Sequence, residues 1–230
     1  MREGSGFEVR SGFDPSQVRN AQHEFEAAES RLDSALQARK RNKTENGGMR
    51  FVDAQRTIER STKAIFELMD VQYPNEHAID PRDREARNLL NSVSSEVDDI
   101  VYFEEKQGFM NNEELRRFHT GEVARLIFLC DMFGDMYELA SCGIDKEDIR
   151  LQADAFIQYS DYEYAIEYAL AALRISDVII DSIATGQLPY TDPPSGEGPL
   201  EGRSRIEGRF YGVTNPDHDF DPVKEYRREL

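Results

Sequence analysis

The sequence is poor in the features that most often carry catalysis or membrane insertion. No stretch approaches the roughly 20 consecutive apolar residues that a membrane span requires, and the segment MREGSGFEVR lacks the apolar core of a secretion signal. A cytoplasmic location with no membrane partner is therefore expected. Only two cysteines occur, Cys130 and Cys142. On what reads as a single helix they stand about 18 Å apart along the axis, too far to bridge. Neither has a cysteine or histidine neighbour at metal-ligand spacing, so reduced, buried thiols are expected. There is no glycine-rich phosphate loop, no nucleophile elbow and no pair of histidines at a metal-binding spacing. Most enzyme classes lose their support, and neither a metal nor a cofactor is expected.

Lysine is scarce as well, supplying 6 of the 28 cations while arginine supplies 22. Against 45 Asp and Glu the balance is −17. That excludes a whole-surface nucleic-acid binder, whose affinity would come chiefly from neutralising phosphates, and leaves room only for a local basic patch. An acidic surplus with few lysines points to a high-salt cytoplasm, because a dense carboxylate surface stays hydrated when salt screens charge over a few ångströms. High-GC codon bias is a second source for the arginine preference.

What remains is the composition of a folded chain, 39 % hydrophobic and 32 % charged over 230 residues. Asp14-Pro15 is a start signal, an N-cap followed by proline at the first helical position, and Val18, Ala21, Phe25, Ala28, Leu32 and Ala35 then predict a helix over 15–40. The run RKRNKTENGG breaks it. Phe51, Ala54, Ile58, Ile65, Leu68 and Met69 set a second helix to about Asp70, antiparallel to the first. After the turn VQYPNEHAIDP, Asp80-Pro81 repeats the start signal for a third helix reaching Phe103. From Asn112, a stripe from Leu115 through Val123, Ile127, Cys130 and Tyr137 to Ala140 predicts the longest helix, closed by Gly143. A shorter helix is expected after Asp145, and a last one from a capping box at Ser160 and Glu163, through Ile166 and Leu173 to Ile183, closed at Gly186. No segment alternates like a sustained strand. The expected fold class is all-α: a 1–14 extension, an antiparallel bundle of four to five main helices over 15–186, and a polar C-terminal tail, extended or disordered, over 187–230, which holds six of the nine prolines.

Few residues stand out as carriers of chemistry. His23 sits mid-helix among Gln and Glu and His218 lies in the polar tail, so both read as surface. His77 is fixed in the turn YPNEHAIDP between the two halves of the chain, where capping is its plain reading. His119 is flanked by Arg116 and Arg117, an arrangement that could hold a phosphate or simply face water. Arg82, Arg84 and Arg87 put three guanidiniums within two turns, the best candidate for an anion or RNA patch, with pairing to Asp83 and Glu85 as the alternative. The long helix has more apolar circumference than one bundle face can bury. Phe118, Leu126, Leu129 and Phe133 are accordingly candidates for a homodimer interface, the alternative cover being the third helix and Phe210 and Tyr211 of the tail.

The string AQRTIERSTKAIFELMDVQYPNEHAID, with Lys63-Ala64 and the turn from Pro74 to His77, resembles the second helix of HEPN domains. VARLIFLCDMFGDMYELASCGID is similar to the long third helix of the archaeal members, and YEYAIEYALAALRISDVIIDSIATG to their closing helix. The resemblance spans 15–186 and implies a bundle of four or five helices that dimerises and is often encoded beside a small nucleotidyltransferase, as in toxin-antitoxin pairs. Many members are metal-independent ribonucleases. Their cleavage depends on an Arg separated from a His by about four to six residues, the His moving protons and the Arg opposing phosphorane charge. No histidine here has that arrangement: Arg19 is too close to His23, Arg116 and Arg117 are too close to His119, no Arg stands at that distance before His77, and Arg209 is too far from His218. The expectation is a non-catalytic HEPN-like interaction or nucleotide/RNA-binding module, homodimeric, partnering a nucleotidyltransferase. The alternative is a ribonuclease toxin with a displaced pair, His77 and Arg84.

Overall fold

The structure, a computed structural model, describes residues 13–41, 47–74, 77–98, 112–146 and 149–185. It is an all-α bundle with one small hairpin. The elements are α1 (Pro15–Arg41), α2 (Gly47–Leu68), α3 (Arg84–Asp98), α4 (Asn112–Gly134), α5 (Tyr137–Cys142), β1 (Ile144–Lys146), β2 (Ile149–Leu151) and α6 (Tyr159–Thr185). The expected 1–14 extension, apart from 13 and 14, and the 187–230 tail lie outside the described residues.

The first helix starts where its sequence says. The Asp14 carboxylate accepts the Ser16 N–H at 2.8 Å, and that bond holds the carboxyl below its ordinary value. Val18, Ala21, Phe25, Ala28, Leu32 and Ala35 all go into the core. They face α2, which also packs on α4, α5 and α6 and so lies at the centre of the bundle. Ion pairs join the α1–α2 hairpin at its edges: Arg31 to Asp53 at 3.3 Å, and Arg60 and Lys63 to Glu24. Burial pushes the Glu24 carboxyl up, but the hydrogen bonds from Arg60 and Lys63 outweigh it and hold the group below its ordinary value. Burial raises the Asp53 carboxyl despite Arg31. The other end of α2 closes in a Schellman turn, with Val71 N–H on the Phe66 carbonyl at 3.0 Å and Asp70 left-handed at φ 52°.

Four boundaries differ from the sequence reading, each for a local reason. The third helix begins at Arg84, because Asp80 uses its carboxylate on the Arg82 N–H and its carbonyl on the Asp83 N–H, making a turn; Asp83 then accepts from Arg87 as the true cap. Its expected end near Phe103 lies outside the described residues. The long helix divides at Gly134. A Cβ there would stand 2.5 Å from the His77 carbonyl oxygen, so the crossing turn requires glycine, and α5 starts after Met136. Gly143 does end a helix, at φ 74° with its N–H on the Leu139 carbonyl, but the helix is α5. The two cysteines are consequently on different helices, Cys130 buried and Cys142 exposed. Where a shorter helix is expected after Asp145 there is first an antiparallel hairpin pairing Ile144 with Leu151 and Asp145 with Arg150, whose side chains meet at 3.1 Å, and the helix is reduced to one 3-10 turn at Ala153–Ala155. The last helix is capped two residues early: Gln158, not Ser160, is the cap, and Asp161, not Glu163, reaches back to its N–H at 2.8 Å.

Candidate functional site

The densest polar cluster forms on α2 where the 71–83 turn and α5 cross it. Gln55, Arg56, Glu59, Arg60 and Lys63 follow one another at one-turn spacing along the helix. His77, brought over by the turn, places Nδ1 3.1 Å from Glu59 Oε2, and Gln55 Nε2 donates to the same oxygen at 3.3 Å. The imidazole stacks on the Tyr137 ring at 4.1 Å between centroids. Arg56 Nη2 donates to the Tyr137 hydroxyl at 2.6 Å, with Cζ 5.4 Å from the ring centroid. Beneath this layer the Cys130 thiol lies 3.4 Å from the Tyr73 hydroxyl and donates to the His77 carbonyl at 3.5 Å. Burial pushes that thiol up to about 12 and raises the Tyr73 hydroxyl too, so both stay protonated at neutral pH. Cys130 is therefore a packing and hydrogen-bonding group with no thiolate to offer. The half-exposed His77 has its ring oriented by a carboxylate, that of Glu59.

The sequence candidates are mostly dispersed. Arg84, the proposed companion of His77, is exposed at the first residue of α3 with no hydrogen bond or ion pair among the described residues. Arg56 is the guanidinium that shares Tyr137 with His77. Nor do Arg82, Arg84 and Arg87 converge as an anion patch. Arg82 pairs with Asp80 at 3.8 Å, and Arg87 turns both Nε and Nη2 onto the Arg82 carbonyl at 3.0 and 2.6 Å. Their surroundings are acidic. The Asp131 carboxyl is raised by burial and by Asp135, Asp80 and Asp83 against the pull of Arg82, a field that repels phosphate.

His119 corrects the sequence reading most sharply. It is fully buried, with Nε2 2.9 Å from the Ser182 hydroxyl on α6, and is a core residue rather than a partner for an external phosphate. Arg117 stays outside, paired with Glu113, and Arg116 is half-buried. The interface candidates on α4 are likewise corrected. Leu126, Leu129 and Phe133 are buried under the chain's own helices, Phe133 lying 5.6 Å from both Phe51 and Tyr168, and Phe118 is half-buried against His119. Among the described residues the large exposed apolar side chains on this helix are Phe128, at 55 %, and Met132, at 39 %. The signal was available: once Val123, Ile127 and Cys130 are taken as the inner stripe, the opposite side of a 3.6-residue helix falls on Gly121, Ala124, Phe128 and Met132.

Among the described residues no group of His, Cys, Asp and Glu could hold a metal ion, and no helix is long and apolar enough to cross a membrane. No family model, curated protein or solved structure matches the chain.

Proposed function

We propose that the chain is a non-catalytic, HEPN-like interaction module that forms a homodimer through the outer side of α4 and serves a nucleotidyltransferase partner or an RNA or nucleotide ligand. One observation carries the reading: in a chain with 32 % charged residues, the solvent side of α4 presents Gly121, Ala124, Phe128 and Met132. Because three of the four interface residues expected from sequence are buried within the chain, this outer side is the one we assign to the interface. Light scattering at micromolar concentration tests it. A dimer mass that Phe128→Asp converts to a monomer mass supports the reading, and a wild-type monomer overturns it. A nucleotidyltransferase encoded alongside, and a stable complex on co-expression, support the two-component setting. The acidic surface and low lysine content support a cytoplasm rich in salt, for which the expected sign is a melting temperature that rises from low to molar KCl.

A second reading, a metal-independent ribonuclease, is favoured by the Glu59–His77 contact. A carboxylate on Nδ1 leaves Nε2 to exchange protons with a ribose hydroxyl, and Arg56, one turn back from Glu59, supplies the cation that the sequence had sought at Arg84. RNA cleavage by purified protein in a chelator, reduced by about 10²–10⁴ in His77→Ala, supports this reading over the first. Cleavage that survives His77→Ala removes it.

A further inference from the structure

The side of α4 turned away from the core forms one strip: Gly121, Ala124, Arg125, Phe128, Asp131 and Met132, at spacings that bring them together over three turns. A Cβ added to Gly121 meets nothing within 4 Å. The small residues lie at the N-terminal end of the strip and the large ones from its middle onward. The cation lies three residues before Phe128 and an anion three residues after it. Arg125 makes no hydrogen bond or ion pair among the described residues and lies in the field of Glu122 one turn back. Asp131, for its part, is surrounded by Asp80, Asp83 and Asp135, with Arg82 as the cation in its field. Each charge has reason to seek the other's type outside its own fold.

This gradient makes the strip complementary to itself in one direction. A two-fold axis through Phe128, with the helices antiparallel, brings residues equally far on either side level with one another. Ala124 then stands level with Met132 of the second copy, and Arg125 with Asp131. A tilt of the two helices that brings these flanks together sets cation against carboxylate and leaves the small Ala124 beside Asp131 of the second copy, and the symmetry provides the match twice. The parallel arrangement sets Arg125 on Arg125, Asp131 on Asp131 and Met132 on Met132, adding like-charge contacts to a chain already at −17. The bare Gly121 and Ala124 let the axes approach to the 8–10 Å typical of packed helices. We infer that two copies of the chain pack antiparallel through the outer side of α4, with Phe128 at the two-fold axis and Arg125 paired with Asp131 of the second copy. The inference rests on the homodimer reading and fixes its register.

Charge exchange tests the register separately from the dimer itself. Arg125→Asp, Asp131→Arg and the double variant are compared with wild type by sedimentation equilibrium at about 0.15 M salt, where the Debye length is about 8 Å and the pairs are still felt. Helical circular dichroism confirms that each has folded, which is expected because Arg125 is exposed and Asp131 partly exposed. Each single variant should dimerise roughly tenfold more weakly, since it puts two like-charge pairs into the interface, and the double variant should return to within about threefold of wild type. A dimeric wild type whose single variants are unaffected, or whose double variant is no better than the singles, overturns the register and leaves the homodimer standing. A monomeric wild type overturns both.

Discussion

Helix α2 lies at the centre of the bundle and α4 packs against it with one side open to solvent, and the two differ in where their out-of-place residues sit. In α2 the anomaly is polar and inside: Arg50, Gln55, Thr57, Ser61 and Thr62 are all buried. Thr57 and Thr62 return their hydroxyls to carbonyls one turn back at 2.9 and 2.8 Å, and the Arg50 guanidinium lies 5.0 Å over the Tyr162 ring. In α4 the anomaly is apolar and outside, at Phe128 and Met132. Buried polar groups and exposed apolar groups are both departures from the ordinary partition, but they have opposite meanings. The first is met largely within the chain, by helix carbonyls, by Glu59 and by the Tyr162 ring, although Ser61 Oγ and Gln55 Oε1 have no hydrogen-bond partner among the described residues, so it describes how this chain holds itself together. The second is covered by nothing among the described residues, which is why the proposed interface is sought there.

The contrast can be broken most directly by truncating one aromatic on each helix. Phe66 is fully buried, edge-on to Tyr73 at 5.2 Å. Phe66→Ala is expected to cost about 3–5 kcal/mol, read as a fall in the denaturation midpoint, because the enclosed site cannot collapse around the cavity. Replacing Glu24 by Gln comes next, at about 1 kcal/mol. That is less than a fully buried pair would give, because Arg60 and Lys63 keep 40 % and 32 % of their side chains in water. It also sharpens the picture of the α1–α2 edge through pH. A carboxyl held below its ordinary 4.5 contributes stability that is complete above that pH and is lost as the pH falls through the lower folded value. The acid limb of the wild-type stability curve should therefore be steeper than that of Glu24→Gln. The smallest effect belongs to Phe128→Ala, expected within about 0.5 kcal/mol of wild type in a thermal melt of the monomer. A loss comparable to that at Phe66 would show that the outer side of α4 is core after all.

The sequence made the α1–α2 hairpin legible because everything needed is local: a cap, a stripe and a break. All six stripe positions of α1 are buried, and five of the six in α2, Met69 alone staying half-exposed. Where a signal had two meanings, the sequence could not choose between them. Asp-Pro opens a turn as readily as a helix, which displaced the start of α3, and strands of three residues are too short to show alternation, which hid the hairpin after Gly143. The side of α4 that faces inward was decided by neighbours remote in the chain, above all by Ser182 drawing His119 into the core. The polar cluster was the least legible part. His77 and Glu59 are 18 residues apart and Arg56 and Tyr137 are 81 apart, so no spacing rule joins them. His77 was singled out because its turn segment carries two prolines, Pro74 and Pro81. Arg56 was not, because within its own helix it is one charged residue among many.

The thiol under the 71–83 turn has one more use. Tyr73 and the His77 carbonyl both sit on Cys130, and a thiol pushed up to about 12 reacts with nothing while they remain there. Covalent labelling of Cys130 in otherwise native protein therefore counts the moments at which that turn lifts away from the bundle. Cys142, exposed on α5, takes up reagent at once in the same sample and supplies the zero of the clock. The chain thus carries its own timer for the opening of one segment, set by a single sulfur atom, and labelling faster than global unfolding would mark the local event.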